Sequence, residues 1–149
     1  MPSKRSSGRR PVAGQPEFLI DRSLGRLTVP TALRSVGLTV YTLADVYGER
    51  AAQETEDVEW IRLAARGDWV VLCKDDRIRR RPAERDALMK GMVRAFCRLT
   101  SANLSFADQA AYFTANRRRI LQAARKPGPY LYGVYRDSLK KLWPPDAPR

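Results

Sequence analysis

The chain contains no histidine at all. That excludes a Ser-His-Asp triad, a Cys-His pair and a two-histidine zinc site. Cysteine is nearly absent too. Cys73 and Cys97 are too few and too far apart in sequence for a structural zinc site. Both fall in apolar runs, which predicts buried free thiols in a reducing cytosol. No run approaches the ~18 apolar residues of a membrane span. The first residues are basic but lack the apolar stretch of a secretory signal, so the expected location is the cytoplasm, with no membrane partner. Any chemistry must come from carboxylates, Lys, Tyr, Ser or a bound hard cation.

What is present is charge of one sign. Lys and Arg number 28 against 16 Asp and Glu, a net +12 in 149 residues. The length fits one domain, and 44% hydrophobic residues suffice for a core. The charge favours polyanions, nucleic acid before anionic membrane surface. Residues 1–16 carry Lys4, Arg5, Arg9 and Arg10 with no acid, amid Ser, Gly and Pro, and are expected to form a disordered basic arm. Residues 17–143 are expected to fold, with a tail over 144–149.

Within the folded stretch, Glu17 to Asp21 reads as a short buried strand. Pro30 opens a helical pattern that Gly37 closes, and Leu38 to Tyr41 reads as a second strand. Asp45 to Glu56 reads as a loop or short helix, and Val58 to Ala65 as a helix stopped by Gly67. Trp69 to Cys73 is the clearest strand. A helix is predicted from Pro82, a strand over Val93 to Leu99, and a long helix from Phe106 to about Ala124 capped by Ser105. A hairpin turning at Arg136-Asp137 closes the pattern. Strands alternating with helices, their runs continuously apolar, predict an α/β fold: a mostly parallel sheet covered on both faces.

The acids are not spread evenly. Asp45 to Asp76 holds nine acids against four bases, a local −5 that leaves +17 for the rest. Carboxylates pooled inside a basic chain suit a divalent cation, with the surrounding bases left for phosphates. Asp21 and Asp75 each follow an apolar strand, where an open parallel sheet binds its ligands. Asp57 stands at the start of the helix that leads into the Asp75 strand, where the helix dipole favours a carboxylate. Taken singly, each is equally a turn residue or a helix cap. Asp76 is an alternative to Asp75; Asp45 is a further acid of the set and Glu49 a weaker one.

Phe18-Leu19-Ile20-Asp21-Arg22-Ser23-Leu24-Gly25 resembles the opening of PIN-like domains of the VapC-type toxin group. Asp57-Val58-Glu59-Trp60-Ile61 is similar to its middle motif, and Trp69 to Arg79 to its strand ending in Thr-Lys-Asp, then Arg-Ile-Arg. Cys73 stands in place of that Thr. Pro82-Ala83-Glu84-Arg85 and Thr100 to Leu104 extend the likeness, which runs from about Phe18 to Trp143. The resemblance implies a PIN-like three-layer α/β/α sandwich and an acidic site dependent on Mg²⁺ or Mn²⁺. It implies a ribonuclease, the toxin of a type II toxin–antitoxin pair, with RNA as substrate, an antitoxin as partner and a homodimer as the common assembly. Carried over by position, Asp21, Asp57 and Asp75 are the catalytic and metal-binding acids, with Asp45 as a fourth.

Lys74, Arg77, Arg79 and Arg81 lie just beyond the acidic strand end and are expected to bind phosphates or to line a solvated helix entrance. Arg117-Arg118-Arg119, Arg125 and Lys126 read as a solvated face, with RNA backbone contact as the alternative. The rival function is a catalytically silent PIN-like module that binds RNA or protein.

Overall fold

The computed structural model describes residues 14–74, 80–99 and 103–145. The basic arm therefore lies almost wholly outside the described residues, as do Asp75, Asp76, Arg77 and Arg79.

Six strands form one sheet: β1 (Glu17–Ile20), β2 (Thr39–Thr42), β3 (Val70–Cys73), β4 (Arg94–Arg98), β5 (Tyr130–Val134) and β6 (Leu139–Trp143). Their spatial order is β2-β1-β3-β4-β5-β6. All neighbours are parallel except β5 and β6, which form the expected closing hairpin. Seven α-helices surround it among the described residues: α1 (Thr28–Ser35), α2 (Leu43–Tyr47), α3 (Glu49–Glu54), α4 (Asp57–Gly67), α5 (Pro82–Lys90), α6 (Phe106–Ala115) and α7 (Arg117–Ala123).

Alternation along the strands divides the core in two. Leu19, Tyr41, Val71, Cys73, Ala95 and Cys97 face one way and pack against Leu43, Trp60, Ile61, Ala64 and Leu88 of α2, α4 and α5. Phe18, Ile20, Val40, Val70, Leu72 and Phe96 face the other, against Val29, Leu33, Phe113 and Ile120 of α1, α6 and α7. Because both faces are covered, the strands carry continuous apolar runs, and the result is the expected three-layer α/β sandwich.

Three local expectations need correction. Cys73 and Cys97 are buried as expected, but they are not free thiols. Parallel pairing sets them opposite one another, Cα atoms 4.4 Å apart, joined as a disulfide. Their separation of 24 residues spans one strand-helix-strand crossover, so distance in sequence hides adjacency in the sheet. Helix α1 begins at Thr28, with Pro30 in its first turn, where the missing N–H costs no helical hydrogen bond. The long helix expected from Phe106 breaks at Asn116, which is fully buried. Its Nδ2 donates to the carbonyls of Tyr112 (2.8 Å) and Tyr135 (2.7 Å), tying the break to the end of β5. The Ser105 cap is present, accepting from the Asp108 N–H at 3.1 Å.

Candidate active site

From β1 the chain passes to one side of the sheet as β2, then crosses back to the other side of β1 as β3. The strand order reverses at this point, so a crevice opens at the carboxyl ends of β1 and β3, the position an open α/β sheet offers to ligands. Asp21 follows β1 immediately. Its backbone N–H donates to the Leu72 carbonyl of β3 at 2.9 Å, which locks the start of the loop to the neighbouring strand. The Ser23 hydroxyl donates to Asp21 Oδ2 at 2.6 Å and so fixes the carboxylate's orientation.

Asp57 is the first residue of α4. Its Oδ1 accepts from Trp60 Nε1 at 2.9 Å, and the indole is itself locked in the core at 1% exposure. The Asp57 side chain keeps one-third of its surface exposed, so it remains accessible from solvent.

Arg22 connects these two acids. Next to Asp21 in the chain, it sends Nη1 to the carbonyls of Ala52 (3.0 Å) and Gln53 (2.9 Å). Its Nη2 reaches the Thr55 carbonyl (2.7 Å) and Asp57 Oδ1 (3.5 Å). One guanidinium thus satisfies the carbonyls left open at the end of α3 and holds the start of α4 against the β1 loop.

Arg81 approaches from α5. Its Nη1 lies 3.6 Å from Asp57 Oδ2 and 3.2 Å from Glu84 Oε1. Glu84, in the first turn of α5 behind Pro82, is only 7% exposed. Burial raises its pKa above the ordinary carboxylate value, and the neighbouring Asp57 carboxylate pushes it further up while Arg81 pulls it down. Sequence reasoning gave neither Glu84 nor Arg22 a role. Their signals were an acid in the first turn of the helix that follows the Asp75 strand end, and a base beside the first acid.

The remaining expected residues are distributed as follows. Asp45 closes a capping box at the start of α2: it receives the Thr42 N–H at 2.8 Å, and its own N–H donates to Thr42 Oγ1 at 3.0 Å. The same Asp45 Oδ2 accepts from Arg34 Nη2 at 2.9 Å, which leaves Oδ1 for any further ligand. Glu49 pairs with Arg26 on the surface. Lys74 follows β3 directly, half-buried. Among the described residues, no group of three or more Asp, Glu, Cys or His stands close enough to hold a metal ion. Asp75, two residues past the end of β3, lies outside them. Arg125 and Lys126 precede β5, at the opposite end of the sheet from the crevice, and are exposed. None of the described helices is long and apolar enough to cross a membrane.

Residues 16–100 match the family described as a PIN like domain. Over 125 residues, 84% of the chain, the sequence is 35% identical to the protein named "Putative ribonuclease VapC45" of Mycobacterium tuberculosis (strain ATCC 25618 / H37Rv), and the match covers 90% of that protein. No solved structure matches.

Proposed function

This chain belongs to the PIN-like domain family, of the VapC type, and on that footing we propose that it is a metal-dependent endoribonuclease, the toxin of a toxin–antitoxin pair. The observation that carries the reading is the tie between Asp21 and Asp57 through Arg22 at the switch point of the sheet, where β3 also ends. RNA is the proposed substrate and an antitoxin the proposed partner, with a second copy of the chain as a further one. The folded unit from 17 to 143 carries the activity.

The donors present suit a hard cation, Mg²⁺ or Mn²⁺. They are carboxylate oxygens, histidine is lacking, and both cysteine sulfurs are tied up in a disulfide. Asp21, Asp57 and Asp75 would hold it, with Asp45 joining through Oδ1. When bound, the cation would supply charge stabilisation at the phosphate and a water acidic enough to attack near neutral pH.

The chain's own residues do the rest. Ser23 and Trp60 each occupy one oxygen of Asp21 and Asp57, so both carboxylates are oriented before any ligand arrives. Arg81 is half exposed and holds Asp57 from 3.6 Å, loosely enough to exchange the carboxylate for a substrate phosphate. Lys74, Arg77 and Arg79 would hold flanking phosphates.

The silent binding module draws on one observation: Arg22 and Arg81 already neutralise Asp57. Incubation of total RNA and a tRNA pool with the purified protein under Mg²⁺, Mn²⁺ or EDTA, beside Asp75→Asn, separates the two. Discrete fragments lost both with EDTA and in the variant support the nuclease. Intact RNA under every metal supports the module.

A further inference from the structure

Helix α5 buries three residues, Glu84, Ala87 and Leu88. Their spacing places them on one helical stripe. Ala87 and Leu88 pack in the core shared with α2 and α4. Glu84 continues that stripe one turn nearer the start of the helix, as a buried carboxylate. An apolar side chain there would extend the core, whereas a buried carboxylate is costly unless it is paired. Stability alone therefore gives no reason for an acid at this position.

Its partner is Arg81, one turn earlier, whose Nη1 donates to Glu84 Oε1 at 3.2 Å. The two ends of this pair differ. The Glu84 side chain is 10% exposed and the Arg81 side chain 50%. The Asp86–Lys90 pair of the same helix is open to solvent at both ends, the kind that contributes little. In the Arg81–Glu84 pair the acid is fixed by the core, and it holds the base at the surface.

The same Nη1 stands 3.6 Å from Asp57 Oδ2, beyond hydrogen-bond length. Arg81 is thus bonded to Glu84 and only attracted to Asp57. A phosphate oxygen can replace Asp57 without breaking the bond to Glu84. A guanidinium carries five N–H donors, so that bond leaves donors for the phosphate.

We infer that Glu84 is a positioning residue: from the apolar stripe of α5 it holds the Arg81 guanidinium beside Asp57, ready to exchange that carboxylate for a phosphate of the RNA. Glu84 itself touches no substrate. The inference rests on the ribonuclease reading for the source of the phosphate.

The test is a double-mutant cycle read by binding of a fluorescently labelled RNA oligomer, with Ca²⁺ in place of Mg²⁺. Glu84→Gln removes a negative charge, so charge alone would tighten RNA binding. Positioning requires the opposite sign. Arg81→Ala should weaken binding roughly tenfold, the loss of one charge-assisted hydrogen bond. Glu84→Gln should weaken it too, but not in the Arg81→Ala background. Glu84→Leu should unfold in urea no earlier than wild type yet bind RNA as weakly as Glu84→Gln, which a loss of fold would not allow. Unchanged or tighter binding by Glu84→Gln, or an equal loss with Arg81 already removed, overturns the role, as does a wild type that binds no RNA. RNA cleavage by wild type under Mg²⁺ is measured alongside. Cleavage without a Glu84 effect removes the positioning role and keeps the nuclease. A Glu84 effect that depends on Arg81, without cleavage, does the reverse.

Discussion

Asp57 and Glu84 share one guanidinium: Arg81 Nη1 stands 3.6 Å from the first and 3.2 Å from the second. Two acids from two helices are thereby brought together at the mouth of the crevice, and the buried one has the raised pKa.

That shift sets a pH dependence. A carboxyl whose pKa is raised on folding is protonated more readily in the folded state, so its contribution to stability falls as pH rises from the ordinary value, 4.5, through the folded value. Glu84→Gln cannot titrate. Thermal unfolding from pH 4 to pH 7 should therefore show the wild type losing stability relative to Glu84→Gln as pH increases. Parallel curves would mean that Glu84 is not perturbed.

Arg22→Ala should loosen the junction of α3 and α4. It removes the donors to three carbonyls and one contact to Asp57. Allowing for an exposed side chain, the expected cost is about 1–2 kcal/mol, measurable by urea unfolding. Arg22→Lys should recover less than half, because an ammonium cannot fork between carbonyls as the guanidinium does.

Arg81 is proposed to hold a substrate phosphate. Its removal should lower RNA affinity across sequences and reduce the slope of log K against log salt by about 1. A titration series in KCl with Arg81→Ala checks this. An unchanged slope would leave Arg81 as a partner of the acids alone.

Tyr130 donates its hydroxyl to the Ala123 carbonyl at 2.8 Å, and burial pushes its pKa up to about 12. Burial also raises the Tyr47 pKa, so absorbance titration should find more than one of the six tyrosines titrating late, with Tyr130 still protonated well above pH 10. Tyr130→Phe should remove one tyrosine from that late phase and cost about 1 kcal/mol. Between 10 and the folded value, the wild type should lose stability with rising pH.

Much of the fold was legible because a sheet buried on both faces writes itself as apolar runs. Phe18-Leu19-Ile20 and Val70-Val71-Leu72 were read as buried strands for that reason, and the acids that follow such runs could be placed at the strand ends. The hairpin at Arg136-Asp137 carried its own turn signal. Short elements were not legible. α2 and α3 together span fewer than a dozen residues, and the Thr42–Asp45 capping box is a local contact that the pooling of charge obscured. Asn116 looked like an ordinary helical residue, because its partner carbonyl on Tyr135 lies 19 residues away. The Cys73–Cys97 disulfide and the Arg81-centred trio were invisible for the same reason: each depends on the register of elements distant in sequence. The motif quoted around Pro82 contained Glu84, but only its burial and its closeness to Asp57 give that acid a role.

The most direct test of the central claim is single-turnover cleavage of a tRNA pool as a function of Mn²⁺ concentration, for wild type and Asp57→Asn. The wild-type rate should rise and saturate with Mn²⁺. Asp57→Asn, checked for folding by circular dichroism, should lose at least ~100-fold, the upper end of what even outer-sphere changes cost a metal site. Rates equal in the two proteins, or RNA left intact by a folded wild type at every Mn²⁺ concentration, would contradict the account.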